Sequence, residues 1–307
     1  MIEAQSNQEL VDVGQGVTLC CERLGNPADP PLLLIPGLGQ QLLSWPDPFC
    51  DALGDRGLHV IRVDNRDIGR SWHASTHPPS RGQLLTRRFD HDQYTLADMA
   101  RDIAGLLDAL ELAPAHVVGI SMGGMIAQTL AASSPRHVRS LVSMLSSTGA
   151  ASAGWAAPST VRLMLTPPAR TREQAQDRAL RMWRHVGSHG FPFDEDRIRD
   201  LAGRSFDRDP RAAAGTGRQL AAVLKSGDRT RSLRQITAPT LVIHGDRDRM
   251  VHPSGGRATA AAIPGARLTT IAGLGHDLPA GAFDGLIELI AAHAGEADRA
   301  QSAPVPA

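Results

Sequence analysis

The sequence predicts an α/β protein: a mostly parallel sheet flanked by helices, with a helical insertion late in the chain. Three observations lead there. Short apolar, β-branched runs alternate with helix-like patterns, which is the rhythm of βαβ units. Several of those runs are apolar at nearly every position, as strands covered on both faces must be. The alternation then stops between about Ser147 and Arg234, where strand patterns vanish and amphipathic helical ones replace them.

Taken in order, the strand candidates are Val17–Arg23, Leu32–Ile35, His59–Val63, His116–Ile120, Ser140–Met144, Thr240–His244 and Arg267–Ile271. Helical patterns fall between and after them at Leu96–Leu112, Met122–Ser133 and Phe283–Ala292. Pro158, Pro167 and Pro168 punctuate the start of the insertion, and Arg172–Arg184 and Asp196–Ala202 read as amphipathic helices within it. The expected organisation is a core of residues 1–146 and 235–294 around a helical cap, 147–234. Ligands of open α/β sheets bind at the carboxyl edge, so the cap is expected over that edge; packing on the sheet's flank is the alternative. From Gly295 the chain, ending Ala303-Pro304-Val305-Pro306-Ala307, is expected to be disordered.

Composition removes several function classes. The 32 basic and 32 acidic residues balance, which leaves no general attraction to nucleic acid or an anionic membrane. Arginine supplies all the basic residues except Lys225, yet acids are interspersed with it throughout. No apolar run approaches the ~20 residues that cross a bilayer. The first residues, Met1 to Asn7, have neither the basic nor the apolar region of a signal peptide. Cys20, Cys21 and Cys50 are an odd number, two of them adjacent, and sketch no disulfide framework. A reducing, cytoplasmic setting is expected. No apolar stripe surplus to the core points to a partner subunit.

The chemistry concentrates at His116-Val117-Val118-Gly119-Ile120-Ser121-Met122-Gly123-Gly124. An apolar strand ends in Gly-x-Ser-x-Gly and a helix begins at once, the context of a nucleophile elbow. A Cβ at 119 or 123 would collide in so tight a turn. Gly123, Ala127 and Ala131 make a small-residue face that lets the helix lie close to the sheet. A serine hydroxyl needs a base to take its proton, and the base needs an acid to orient it. Two later strands run into loops that carry such groups: Gly245-Asp246-Arg247-Asp248 and Gly273-Leu274-Gly275-His276-Asp277. His276 is the base candidate, while Asp248 and Asp246 compete as the acid, the latter otherwise capping its own turn. Of two oxyanion donors, one is expected from the Met122 N–H at the helix N-terminus. His73, His77 and His91 lie among acids and prolines; a polar surface loop explains them better than a metal site.

These motifs resemble the α/β-hydrolase superfamily over about residues 16–293, and within it bacterial carboxylesterases of the aclacinomycin-methylesterase type. The segments that carry the likeness are Ser44-Trp45-Pro46-Asp47, Leu58 to Ser71, the elbow, and Gly273 to Pro279. The resemblance implies the order Ser121, Asp248, His276 for nucleophile, acid and base. It also implies the second oxyanion N–H at Leu38 in Pro36-Gly37-Leu38-Gly39, with Pro36 where the family usually has histidine. The activity implied is hydrolysis of a small-molecule ester by water through an acyl-enzyme, with no cofactor and no metal. Lactones, thioesters, perhydrolysis or carbon–carbon cleavage are other uses of the same groups, and a non-catalytic binding protein is the remote alternative. Asp64-x-Arg66-Asp67-x-Gly69-x-Ser71 is expected to tie its own loop together. Trp155 and Trp183, in the insertion, suit a pocket lining or packing equally.

Overall fold

The computed structural model describes residues 7–302. Its eight strands are β1 (Gln8–Asp12), β2 (Thr18–Leu24), β3 (Pro31–Ile35), β4 (His59–Val63), β5 (Ala115–Ile120), β6 (Val138–Met144), β7 (Thr240–Gly245) and β8 (Arg267–Ile271). The helices of the first half are α1 (Asp47–Gly54), α2 (Arg81–Thr86), α3 (Leu96–Ala109) and α4 (Met122–Ser133). Between β6 and β7 come α5 (Pro158–Met164), α6 (Arg172–Val186), α7 (Glu195–Arg208), α8 (Ala212–Ser226) and α9 (Thr230–Leu233). Helices α10 (Ser254–Ala262) and α11 (Phe283–Ser302) complete the chain.

The strands form one sheet in the order β1-β2-β4-β3-β5-β6-β7-β8. From β4 to β8 all neighbours are parallel, and β2 runs antiparallel to both β1 and β4. The chain leaves β3 for β4 on one side and returns to β5 on the other, so the order reverses at the carboxyl ends of β3 and β5. Open α/β sheets bind ligands in the crevice at such a reversal.

Period-two alternation explains why helices cover both faces. Leu33, Ile35, Ile61, Val63 and Val117 point to one side, into a core shared with α3 and α4. Leu32, Leu34, Val60, Val118 and Ile120 point to the other, against residues of α1 and α11. Each such side chain contributes about 1.5–3 kcal/mol on burial, so register is strongly specified. Helix α4 lies closest: a Cβ on Gly123 would stand 2.1 Å from the Ile35 carbonyl oxygen.

The helices between β6 and β7 rest mainly on loops at the carboxyl edge. Arg208 of α7 pairs with Asp64 at 2.6 Å, and Arg218 of α8 with Asp67 at 2.6 Å, both on the loop after β4. The Ala157 N–H reaches the Arg249 carbonyl after β7 at 2.9 Å, and Val186 accepts the His276 N–H after β8 at 2.7 Å. Helices α8 and α9 also pack down one flank, against α3, α4 and α10.

The structure differs from expectation in several elements. Strand β1 was not expected, because Gln8-Glu9-Leu10-Val11-Asp12 is a half-exposed edge strand with little apolar signal. No range was expected for helix α8 either, nor for α1, α2, α5, α9 and α10. The disorder expected from Gly295 is corrected for residues 295–302, which continue α11. Ala297 is buried there, Glu296 pairs with Arg267, and Asp298 pairs with Arg139. Residues 303–307, and the start of the segment read for a signal peptide, lie outside the described residues.

Candidate active site

Ser121 stands between the end of β5 and the first turn of α4 with φ 57° and ψ −118°, a conformation that costs a non-glycine residue about 1–3 kcal/mol. The surroundings over-determine it. Its N–H donates to the Met144 carbonyl at 2.8 Å, and its own carbonyl accepts the Ser146 hydroxyl at 2.8 Å. A Cβ on Gly119 would stand 2.2 Å from the Gly123 carbonyl oxygen, so glycine is required where the strand folds back on the helix. Arg229, buried, donates to the Met125 carbonyl, the Gln128 amide oxygen and the Ser147 carbonyl. Burial lowers its guanidinium to about 10.

The loops after β7 and β8 bring their groups to this corner. His276 Nε2 lies 2.9 Å from Ser121 Oγ, and His276 Nδ1 lies 2.7 Å from Asp248 Oδ2. With the carboxylate ionised, Nδ1 carries the proton and Nε2 is left to accept from the serine hydroxyl. Asp248 is 4% exposed. Its Oδ1 accepts the N–H groups of Met250 and Val251, each at 2.8 Å. His244 Nε2 lies 3.4 Å from Oδ2 and 2.9 Å from the Val251 carbonyl. Burial alone would raise this carboxyl, but the charge of His276 and these hydrogen bonds outweigh it, holding it well below the usual carboxylate range. Asp246 points elsewhere: it accepts the Gly273 N–H at 2.7 Å and so joins the two loops rather than capping its own turn.

The other half of the site is the loop after β3. Gly37 packs so closely on the elbow that a Cβ there would touch the Ser121 Cβ at 3.4 Å. The Gly37 carbonyl accepts the Gln40 N–H at 3.1 Å, and Asn65 holds the Pro36 carbonyl at 3.1 Å. Among the described residues, neither the Leu38 N–H nor the Met122 N–H has an acceptor. The arrangement therefore offers a polarisable hydroxyl, a base oriented by a carboxylate, and two backbone donors from adjoining segments.

These sequence and structural features match the family model for the alpha/beta hydrolase fold over residues 30–280. The chain belongs to the α/β-hydrolase family. It is 34% identical to the rhodomycin D methylesterase of Streptomyces sp. (strain C5), over 90% of this chain and 95% of that one. The rhodomycin D methylesterase of Streptomyces peucetius is equally similar, 34% identical over the same shares. Among solved structures, the 2-hydroxy-6-oxo-6-phenylhexa-2,4-dienoate hydrolase of Rhodococcus sp. strain RHA1 superposes with a TM-score of 0.73. It covers 93% of this chain and 97% of its own at 20% identity, a likeness of fold alone. The two methylesterases are carboxylic ester hydrolases, and the fold is a hydrolase fold.

Other expected features fall differently. The loop Asp64 to Ser71 reaches outward as much as it binds itself. Asp64 and Asp67 pair with α7 and α8 as above, and Arg66 forms a two-pronged pair with Asp102 of α3 at 2.5 and 2.6 Å. Gly69 donates to Asp209 at 3.0 Å, while within the loop Ser71 Oγ donates to the Asp64 carbonyl at 2.7 Å and the Asp64 carboxylate accepts the Arg70 N–H at 3.0 Å, as expected. His73 bonds the Ser71 carbonyl and Asp209. Among the described residues no group of three or more His, Cys, Asp or Glu is placed to hold a metal. Trp155 is 52% exposed and stacks on His252 with ring centroids 4.5 Å apart, so it is not core. Trp183 is half-buried.

Residues that sequence reasoning passed over also shape the site. Ser188, just after α6, donates through N–H and hydroxyl to Asp277 at 2.9 and 2.5 Å and accepts the Gly275 N–H at 2.9 Å, clasping the His276 loop. Gln219 of α8 accepts the Gly39 N–H. Neither position carries a periodic or motif signal.

Proposed function

We propose that the protein is a serine hydrolase of carboxylic esters acting through an acyl-enzyme. The observation that carries the reading is the unbroken hydrogen-bonded line from Ser121 through His276 to Asp248, starting on a strained strand–helix corner. Ser121 Oγ attacks the ester carbonyl carbon while His276 Nε2 takes its proton, and the carbonyl electron pair moves onto oxygen. The N–H groups of Leu38 and Met122 hold that oxyanion, and Asp248 stabilises the imidazolium. When the carbonyl re-forms, the bond to the alcohol oxygen breaks and the alcohol leaves with the proton from Nε2. Water then attacks the acyl-serine, again giving its proton to Nε2. The acid departs and Ser121 regains its hydrogen. These groups, the ester and water account for every proton and electron pair, so the cycle calls for no cofactor.

The substrate class follows from the relatives, whose names make a methyl ester the first candidate. The helices of residues 147–234 act as the cap in this reading, and selectivity resides there. Three free, buried cysteines fit a cytoplasmic setting, and among the described residues no helix is long and apolar enough to cross a membrane.

Replacing Ser121 by alanine abolishes hydrolysis of a short-chain aryl ester and a methyl ester with little change in melting temperature. Turnover surviving in that variant refutes the reading. Assayed beside a lactone and a thioester, the carboxylic ester is the fastest substrate; a faster lactone or thioester redirects the proposal to that chemistry.

A further inference from the structure

An oxyanion donor is useful only if its N–H is held still before the charge develops. Met122 has helix α4 to hold it. Leu38 lies in an irregular loop, and something must fix the peptide plane that carries its N–H.

We infer that Gln219 of α8 is a positioning residue for the oxyanion donor of Leu38, so that the helical segment between β6 and β7 takes part in catalysis as well as covering the site. This rests on the proposed serine-hydrolase reading. Gln219 is fully buried, at 0% exposure. Its Oε1 accepts the Gly39 N–H at 2.9 Å and its Nε2 donates to the Arg66 carbonyl at 2.8 Å. The amide orientation is forced, because one backbone partner can only donate and the other can only accept. One side chain thus links the loop after β3 to the loop after β4. Asn65, 2% exposed, holds the near end of the same loop through the Pro36 carbonyl.

Between these two anchors, the turn Gly37-Leu38-Gly39-Gln40 closes through the Gln40 N–H to the Gly37 carbonyl at 3.1 Å. The peptide is planar and trans, so a Gly37 carbonyl turned toward Gln40 sends the Leu38 N–H to the opposite side. Gly39 has φ +67°, a rotation that glycine adopts freely. The Gln219 acceptor is what restrains that freedom on the far side of Leu38. The Thr216 side chain, one helical turn before Gln219, fills the place where a Gly39 Cβ would stand, its hydroxyl oxygen 2.7 Å and its methyl 2.9 Å from that position. Arg218, next in sequence, seats α8 through its buried pair with Asp67.

The inference is tested with Gln219→Met, which keeps length and bulk but neither hydrogen bond, and Gln219→Glu, which keeps an acceptor for Gly39. Active sites are counted by the end-point of fluorophosphonate labelling, so that misfolded chains do not enter kcat. Gln219→Met is expected to lower kcat by about 10- to 100-fold with KM little changed; losing an oxyanion donor outright costs about 10²–10³. A trifluoromethyl ketone, which forms the tetrahedral adduct, loses affinity in the same proportion as kcat/KM, while the planar amide of the same acid does not. Gln219→Glu falls less than Gln219→Met, and it provides the measurement should Gln219→Met not fold. Wild-type kcat per active site in both variants, or equal loss of affinity for ketone and amide, overturns the inference. Turnover surviving in Ser121→Ala overturns the serine-hydrolase reading instead, and this inference with it.

Discussion

Replacing Asp248 by asparagine removes a charge and almost no volume, and the structure dictates which way the new amide faces. Two backbone donors, the N–H groups of Met250 and Val251, already point at Oδ1. The amide oxygen must stay there, so the NH₂ takes the place of Oδ2, 2.7 Å from His276 Nδ1. A donor at that position obliges Nδ1 to accept, which moves the imidazole proton to Nε2. Nε2 then faces Ser121 with a hydrogen rather than a lone pair and cannot take the hydroxyl proton. The corresponding exchange in a serine protease costs about 10⁴ in kcat, or about 5.4 kcal/mol at 1.36 kcal/mol per tenfold. The stability cost is far smaller. Both backbone bonds survive in neutral form, and exchanging charge-assisted for neutral bonds costs about 1–2 kcal/mol. Hydrolysis of 4-nitrophenyl acetate, normalised to labelled active sites, together with thermal melting, separates the two effects. A kcat within tenfold of wild type in a folded Asp248→Asn protein refutes the tautomer argument. Because the Asp248 carboxyl is held below its ordinary value of 3.8, it stays ionised above that pH. Loss of activity on acidification above that value must then come from a group other than Asp248.

Other consequences are as specific. Ser121→Gly melts higher than Ser121→Ala, since both lose the hydroxyl but only glycine accepts φ 57°; the difference is about 1 kcal/mol after glycine's larger unfolded-state entropy. Equal melting would mean that the corner stores no strain. Asp67→Ala leaves Arg218 buried without its partner and destabilises by about 3–5 kcal/mol in denaturant titration; a change below 1 kcal/mol contradicts that. His73 is raised by its bond to Asp209, so its stabilisation is complete below the ordinary value of 6.5 and is lost as pH rises through the higher folded-state value. The melting difference between wild type and His73→Gln is therefore largest near pH 5 and shrinks above neutrality; the opposite trend refutes the assignment. Burial pushes the Cys20 thiol up to about 11 and Cys50 up to about 12, and raises Cys21 further. A thiol reagent at pH 8 leaves the native chain unmodified but labels three sites after denaturation, and rapid native labelling contradicts this burial.

How much of this was legible in the sequence depended on whether a residue's partner lay nearby in the chain or followed a period. The seven expected strands are present, the central ones announced by short runs that are apolar at nearly every position, and Gly119-x-Ser121-x-Gly123 announces its corner by local sterics. Strand β1 escaped because an edge strand exposes Leu10 at 64% and needs few apolar residues. The last turns of α11 escaped because their support comes from Arg139 and Arg267, far away in sequence. Asp246 and Asp248 are two residues apart in one loop, and composition did not separate them. The resemblance points to Asp248 as the acid, and the backbone path sends Asp246 to Gly273 and Asp248 to His276. Gln219 is the extreme case. Its Gly39 partner lies 180 residues away, and a glutamine on an amphipathic helix reads as solvent-facing until the fold buries it.

The central claim is that Ser121 carries the acyl group. Titration with a fluorophosphonate, followed by intact mass and peptide mapping, tests it most directly. Activity is expected to fall in step with modification of Ser121 and to reach zero at one label per chain. Full modification of Ser121 with activity intact, or inactivation with Ser121 unmodified, would contradict it.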